Sequence, residues 1–94
     1  MRFYDRYGQL VGFFLGEFQY FNFKNNEDLF HYFKENKYAV DPSLFEINEI
    51  LNDTEFDWQG FCDESNIYFE SKKDFLNYLL LMRSILLDLK SNLN

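Results

Sequence analysis

The stretch from Phe75 to Leu89 constrains the fold more than any other feature. Eleven of its fifteen residues are apolar: Phe75, Leu76, Tyr78, Leu79, Leu80, Leu81, Met82, Ile85, Leu86, Leu87 and Leu89. On a helix they cover most of the circumference, and a helix apolar nearly all round must be buried on more than one side. The segment is therefore predicted to be a central core helix, with a subunit contact as the other way of covering it. Ser71-Lys72-Lys73-Asp74 reads as its start, a capping box with Asp in place of the usual Glu or Gln, and it runs to about Lys90. Asn77, Arg83, Ser84 and Asp88 interrupt the apolar run, whereas a membrane span needs about 20 mostly apolar residues.

A chain of 94 residues is one domain, residues 1–94, and 47% apolar content is enough to build a core around that helix. The 13 Phe, 7 Tyr and single Trp are too much apolar surface to leave in water, which excludes a disordered chain. The single cysteine, Cys62, excludes an internal disulfide and fits a reducing cytoplasm. Asp5 and Arg6 precede a short run, Leu10 to Leu15, that Gly12 breaks; this is not the pattern of a signal peptide.

The N-terminal third reads as strands. Arg2–Tyr7 is aromatic and ends at Gly8-Gln9, Leu10–Leu15 ends at Gly16-Glu17, and Phe18–Lys24 is a third apolar run. These spacings suit two tight hairpins, hence an antiparallel meander. Asn25-Asn26 offers a helix cap, Glu27 and Asp28 suit a first turn, and Leu29, Phe30, Tyr32 and Phe33 give a helical stripe, so a helix is expected from Glu27 to about Asn36. Tyr38–Val40 reads as extended. Asp41-Pro42 starts a second helix through Leu44, Phe45, Ile47, Ile50 and Leu51, ending at Asn52-Asp53. Thr54–Ser65 has turn chemistry around Gly60 and Asp63, with Phe56, Trp58 and Phe61 as a candidate strand; Ile67–Glu70 reads as a short strand. The expected fold is therefore α+β: an antiparallel β-meander, about three helices, and the long C-terminal helix packed on the sheet.

Charge is distributed unevenly. The formal net charge is −7, from 16 acids and 9 bases. Tyr38 to Ser71 is 34 residues without a Lys, Arg or His, and holds nine acids: Asp41, Glu46, Glu49, Asp53, Glu55, Asp57, Asp63, Glu64 and Glu70. The rest of the chain has seven acids against nine bases, a net of +2. Tyr38, Phe45, Phe56, Trp58, Phe61, Tyr68 and Phe69 are interleaved with the acids. A solvated face with core rings behind it accounts for any single acid. It does not account for nine like charges with no base among them, since such clustering costs stability by self-repulsion. Acids that steer an encounter and rings that bury afterwards are what a binding face for a basic protein requires. The candidate partner-binding residues are Glu46, Glu49, Asp53, Glu55, Asp57, Trp58, Asp63 and Glu64.

Other chemistries find less support. Asp53, Glu55, Asp57 and Glu64 fall at positions 1, 3, 5 and 12 of a calcium loop, but Trp58 occupies the position that needs Gly, and the segment after Glu64 reads as a strand where a helix is required. No metal or cofactor is expected. Cys62 and His31 are the only thiol and the only imidazole, with no third group to orient them. Gly8, Gly12, Gly16 and Gly60 form no phosphate loop, and an acidic chain is a poor ligand for nucleic-acid backbones. The chain is not expected to be an enzyme.

The sequence thus predicts a small, acidic, cytoplasmic inhibitory binding protein, a monomer or homodimer. The leading expectation is a bacterial immunity protein that neutralises a basic, nuclease-type toxin by occluding its active or substrate-binding site, because such toxins must be basic to hold nucleic acid. Two other readings use the same features: a phage-type nucleic-acid mimic that inhibits a host DNA-binding enzyme, and a structural homodimer joined through the apolar C-terminal helix.

Overall fold

The computed structural model describes residues 2–21 and 26–92. Among the described residues six α-helices follow one another: α1 (Phe3–Leu15), α2 (Glu17–Phe21), α3 (Asn26–Glu35), α4 (Val40–Leu51), α5 (Trp58–Glu64) and α6 (Lys72–Asn92), with one 3₁₀ turn at Lys37–Ala39 leading into α4. Among the described residues there is no strand. The expected α+β fold is therefore wrong, and so is the placing of the last helix on a sheet. Arg2–Tyr7 and Leu10–Leu15 lie almost wholly in α1, and Phe18–Phe21 lies in α2. The end of that third run, Asn22 to Lys24, and the first residue of the expected Asn25-Asn26 cap fall outside the described residues. Trp58 and Phe61 belong to a helix, and Ile67–Glu70 is neither strand nor helix.

The reason is packing. Tyr7, Leu10, Val11 and Phe14 fall at i, i+3, i+4 and i+7, and all four are buried. One helix face collects them, whereas alternation would split them between two sides of a strand. Gly12, read as a breaker, sits on the exposed side of α1 with open space around it, where glycine costs a helix about 1 kcal/mol. Burial of four large side chains outweighs that.

α6 packs against both α3 and α4 and touches α5, while α1 crosses α4 and α5. The stripe Phe75, Leu79, Met82, Leu86 and Leu89, with Ile85, is buried. α6 is thus central, but its coverage is incomplete: Leu80 and Leu87 remain 48% and 40% exposed. Ser71 caps α6, its Oγ accepting the Asp74 N–H at 3.1 Å.

The aromatic excess becomes a network of ring–ring contacts, edge-to-face, tilted and stacked. Phe3 meets Phe56 and Phe61 at 5.6 and 5.8 Å, Tyr7 meets Phe56 at 5.5 Å, and Phe61 meets Phe75 at 5.7 Å. These rings join α1, α5, α6 and the loop after α4. A second group links Phe13 to Phe33 at 5.6 Å and Phe14 to Phe18 at 5.4 Å. Such pairs contribute about 0.5–1.5 kcal/mol each beyond the area they bury.

Among the described residues no helix is long and apolar enough to cross a membrane.

Candidate functional site

The acidic segment runs from the 3₁₀ turn through α4 and α5 to the start of α6. Its acids divide into two groups according to what they touch.

The first group is engaged within the chain. α1 breaks at Tyr7, whose φ of −122° and ψ of 40° interrupt the helix, so Gly8–Leu15 begins a fresh helical N-terminus with unpaired N–H groups. Glu46, one turn and a half into α4, supplies the missing cap: its carboxylate accepts the N–H groups of Gln9 at 3.1 Å and Leu10 at 2.8 Å. Glu64, at the end of α5, does the same for the first turn of α1, accepting from Phe3 at 3.1 Å and Tyr4 at 2.6 Å. Both helix starts gain charge-assisted hydrogen bonds and a favourable charge–dipole interaction. Burial nevertheless holds the Glu46 carboxyl above its ordinary range, with the Leu10 and Gln9 hydrogen bonds working in the opposite direction. Two further acids meet cations from outside the segment: Glu49 lies 3.6 Å from Arg6, and Asp41 lies 3.0 Å from Lys90. Lys72 donates to the Thr54 carbonyl at 3.3 Å, so a base also reaches the loop in space. The charge asymmetry of the sequence is therefore narrower on the surface than along the chain.

The second group faces water around α5. Asp53 forms a local turn, accepting the Glu55 N–H at 3.1 Å, and Asp57 caps α5, accepting from Gly60 at 3.0 Å. Both keep their charge exposed. The side chains of Glu55, Asp63 and Glu70 make no hydrogen bond or ion pair with any described residue, and all three residues are exposed. Five carboxylates thus surround one short helix and the loops that enter and leave it.

The rings also divide. Phe56 and Phe61 are core residues, which removes them from any binding face. Trp58 and Phe69 are half-buried and lean on the same ring: Trp58 lies 6.3 Å and Phe69 5.8 Å from Phe75. Tyr68 is 81% exposed. Between them is an open cleft of about 280 Å³, floored by Cys62 and Ile67 and bordered by Asp63 and Gln59. Its far wall is set by the way α5 ends. Asn66 adopts the left-handed conformation (φ 56°), the Ile67 N–H returns to the Cys62 carbonyl at 3.0 Å, and the Asn66 N–H to Asp63 at 3.3 Å. This is a Schellman termination, and it turns 67–69 back along α5. Gln19 of α2 fixes the turn by donating to the Asn66 carbonyl at 2.8 Å.

The eight residues expected at the partner face are thus placed as follows. Asp53, Glu55, Asp57, Trp58 and Asp63 share the α5 end of the molecule. Glu46 and Glu64 hold α1, and Glu49 pairs with Arg6. Sequence reasoning missed Tyr68 and Phe69 as members of the site, although both were among the interleaved rings. The signals for them were Asp57 three residues before Gly60 and Asn66 just past Glu64, which mark the two ends of a short helix.

Nothing in this region is arranged for nucleophilic chemistry. The Cys62 thiol is pushed up to about 11 by burial and by the neighbouring Asp63, so it is protonated at neutral pH. His31 lies on the exposed face of α3, 3.9 Å from Glu27. Among the described residues no three His, Cys, Asp or Glu side chains converge as a metal site would require, and the Glu64 carboxylate is already bonded to α1. A second groove, lined by Arg2, Tyr4, Asp5, Val11, Leu15 and Glu64, carries both signs of charge and selects neither.

No protein-family model matches the chain, and neither a curated protein nor a solved structure does.

Proposed function

We propose that this protein is a small inhibitory binding protein whose α5 end docks onto a basic protein, in the manner of a bacterial immunity protein that neutralises a nuclease-type toxin. One observation carries the reading. Five exposed carboxylates, Asp53, Glu55, Asp57, Asp63 and Glu70, lie on α5 and the loops beside it, three of them (Glu55, Asp63 and Glu70) with no side-chain partner among the described residues, and Asp63 lines a cleft together with Trp58, Tyr68 and Phe69. Like charges gathered at one end repel one another, and Glu55, Asp63 and Glu70 make no side-chain hydrogen bond or ion pair with any described residue in return, so a complementary partner is what gives the arrangement a purpose. A partner that must hold nucleic acid supplies a dense positive surface, and covering that surface is sufficient for inhibition.

The test uses the three acids with no structural role. The triple variant Glu55→Lys, Asp63→Lys, Glu70→Lys should fold as the wild type does. Immobilised wild type should retain a basic protein from an extract of the native host at low salt and release it as salt rises, since exposed charges are screened beyond about 8 Å at physiological ionic strength. The triple variant should retain none of it. The control is Glu35→Lys with Asp88→Lys, two exposed acids at the far ends of α3 and α6, and it should bind normally. Equal capture by the triple variant, or capture of no basic protein, overturns the proposal.

A second reading is favoured by a different surface. Leu80 and Leu87 on α6, and Phe45 on α4 at 65% exposure, remain uncovered. The pairs Asp41–Lys90 and Asn48–Arg83 run α4 antiparallel to α6 and place Phe45 and Leu87 in the same stretch of their seam. A homodimer through this strip is the corresponding structural function. Light scattering on a size-exclusion column separates it: a monomer mass at micromolar concentration refutes it.

A further inference from the structure

The cleft beside α5 is more selective than an acidic face needs to be. Its volume of about 280 Å³ lies just below the ~300–1,000 Å³ of small-molecule sites, which suits one inserted side chain. Three of its walls are the rings of Trp58, Tyr68 and Phe69, and Asp63 is its only charged lining residue. Trp58 and Phe69 both rest on the buried ring of Phe75, so the core supports both sides of the cleft. Ring faces carry negative electrostatic potential, and Asp63 adds a full negative charge at the rim. An anion is disfavoured by the Asp63 carboxylate and by the aromatic ring faces. A neutral apolar group gains burial only and makes no use of Asp63. A cation gains from the rings and from the carboxylate together. Between the two cationic side chains the cleft favours arginine: its guanidinium is planar, stacks on aromatic faces, is weakly hydrated, and can pair with a carboxylate through two parallel N–H groups.

We propose that this cleft receives an arginine side chain of the basic partner, its guanidinium lying against Trp58 and Tyr68 with Asp63 as its counter-charge. The inference rests on the reading of the α5 end as the docking face, and it names the chemical group that makes docking specific there. The solvated acids Glu55, Asp53 and Asp57 steer the approach, and the cleft then retains the partner by burying one residue. Steering acts on the association rate and the inserted residue on the dissociation rate.

Trp58 is the only tryptophan, so its fluorescence reports this cleft alone. The probe is the peptide acetyl-Gly-Arg-Gly-amide, compared with versions carrying lysine or citrulline in place of the arginine. Citrulline keeps the shape and planarity of the side chain and loses the charge. The arginine peptide should give a saturable change with a Kd of about 1–20 mM, the affinity that one cation–π contact and one exposed ion pair support. The lysine peptide should bind more weakly and the citrulline peptide not measurably. Asp63→Asn and Tyr68→Ala should each weaken the arginine peptide by about 3- to 20-fold; both residues are exposed, so neither change endangers the fold. Equal responses to arginine and citrulline, or no saturable response below about 50 mM, overturn the inference. Its failure is separable from that of the docking reading. If a basic partner is lost on reversing Glu55 and Glu70 but is held unchanged by the Tyr68→Ala variant, the arginine slot is refuted and the docking face stands. If the peptide titration succeeds while no basic partner is captured, the slot stands and the docking face is refuted.

Discussion

Replacing Glu46 with alanine strips the cap from the second half of α1, and the structure sets the size of the effect. Two backbone N–H groups lose their acceptor, Gln9 at 3.1 Å and Leu10 at 2.8 Å. Leu10 is fully buried, and water cannot readily replace the carboxylate at its N–H. A lost N-cap costs about 0.5–2 kcal/mol, and a hydrogen bond to a charged group contributes about 1.5–3 kcal/mol. Against this, removing Glu46 recovers the cost of holding a half-buried carboxylate away from water. The net expectation is a loss of about 2 kcal/mol, read as a drop of roughly 2 M in the urea midpoint of a domain this size. Glu46→Gln keeps one acceptor oxygen and should lose about half as much. Glu49→Ala, three residues along the same helix, removes only an exposed ion pair at 3.6 Å and should change stability by less than about 0.5 kcal/mol. The pH dependence has a definite sign. Because burial raises the folded-state value of Glu46 above its ordinary 4.5, the native state holds the proton more tightly than the unfolded chain. The Glu46 contribution therefore grows as pH falls through the window between the raised value and the ordinary one. The gap between wild type and Glu46→Ala should widen from pH 7 to pH 4. A Glu46→Ala melt within about 0.5 kcal/mol of wild type, or no different from Glu49→Ala, would refute the capping argument.

Three other expectations follow from the same packing. Leu79→Ala should cost about 2–5 kcal/mol in denaturant melts, because Leu79 is fully buried, while Leu80→Ala, its neighbour on the open side of α6, should cost less than about 1 kcal/mol; equal losses would mean that α6 is rotated from the described position. Gly60→Ala should destabilise the fold by about 1–2 kcal/mol, since the added methyl would overlap the Asp57 carboxylate that caps α5 and approach the Phe3 ring at 3.1 Å; a neutral or stabilising result in a thermal melt would remove the cap from the account. Cys62 should react with a maleimide at pH 8 about 100-fold more slowly in the native protein than in urea, because a thiol near 11 is almost wholly protonated there; comparable rates would place it on the surface.

The helices that the sequence discloses are those with local signals at both ends. α3 has acids in its first turn and a clean apolar stripe, α4 carries Asp41-Pro42 in its first turn and stops at Asn52, and α6 opens on the Ser71 cap. α1 lacked such signals. Its apolar residues are contiguous from Leu10 to Leu15 except for Gly12, so both a strand period and a helix period can be drawn through them. Phe and Tyr favour strands on their own, and Gly8, Gly12 and Gly16 resemble turns. What decides the matter is tertiary: Tyr7, Leu10, Val11 and Phe14 can be buried together against α4 and α5 only from one helix face. The break at Tyr7 has no sequence signature at all, because its cap comes from a residue 36 positions away. For the same reason the acidic segment was legible as a segment and not as a set of roles. Glu46 and Glu64 look like Glu55 and Glu70 in one dimension. Their difference is which helix N-terminus each meets after folding.

That difference also bears on the proposal that the α5 end is a binding surface. α5 has only seven residues, too few to hold its shape alone. It is secured on three sides. Glu64 bonds the start of α1, Phe61 packs among Phe3, Tyr7 and Phe75, and the Asn66 carbonyl accepts from Gln19. These ties leave Trp58, Asp63 and Tyr68 on the outer side of a fixed support, so little ordering is left to be done when a partner arrives. The acids of the segment are thus divided between two tasks that need one another. The repulsion among Asp53, Glu55, Asp57, Asp63 and Glu70 tends to drive α5 apart from its surroundings. The carboxylates of Glu46 and Glu64, turned inward onto backbone N–H groups, help to hold α1, α4 and α5 together against it. Removing Glu64 should therefore disturb binding as well as stability, although its carboxylate faces α1 and not the partner.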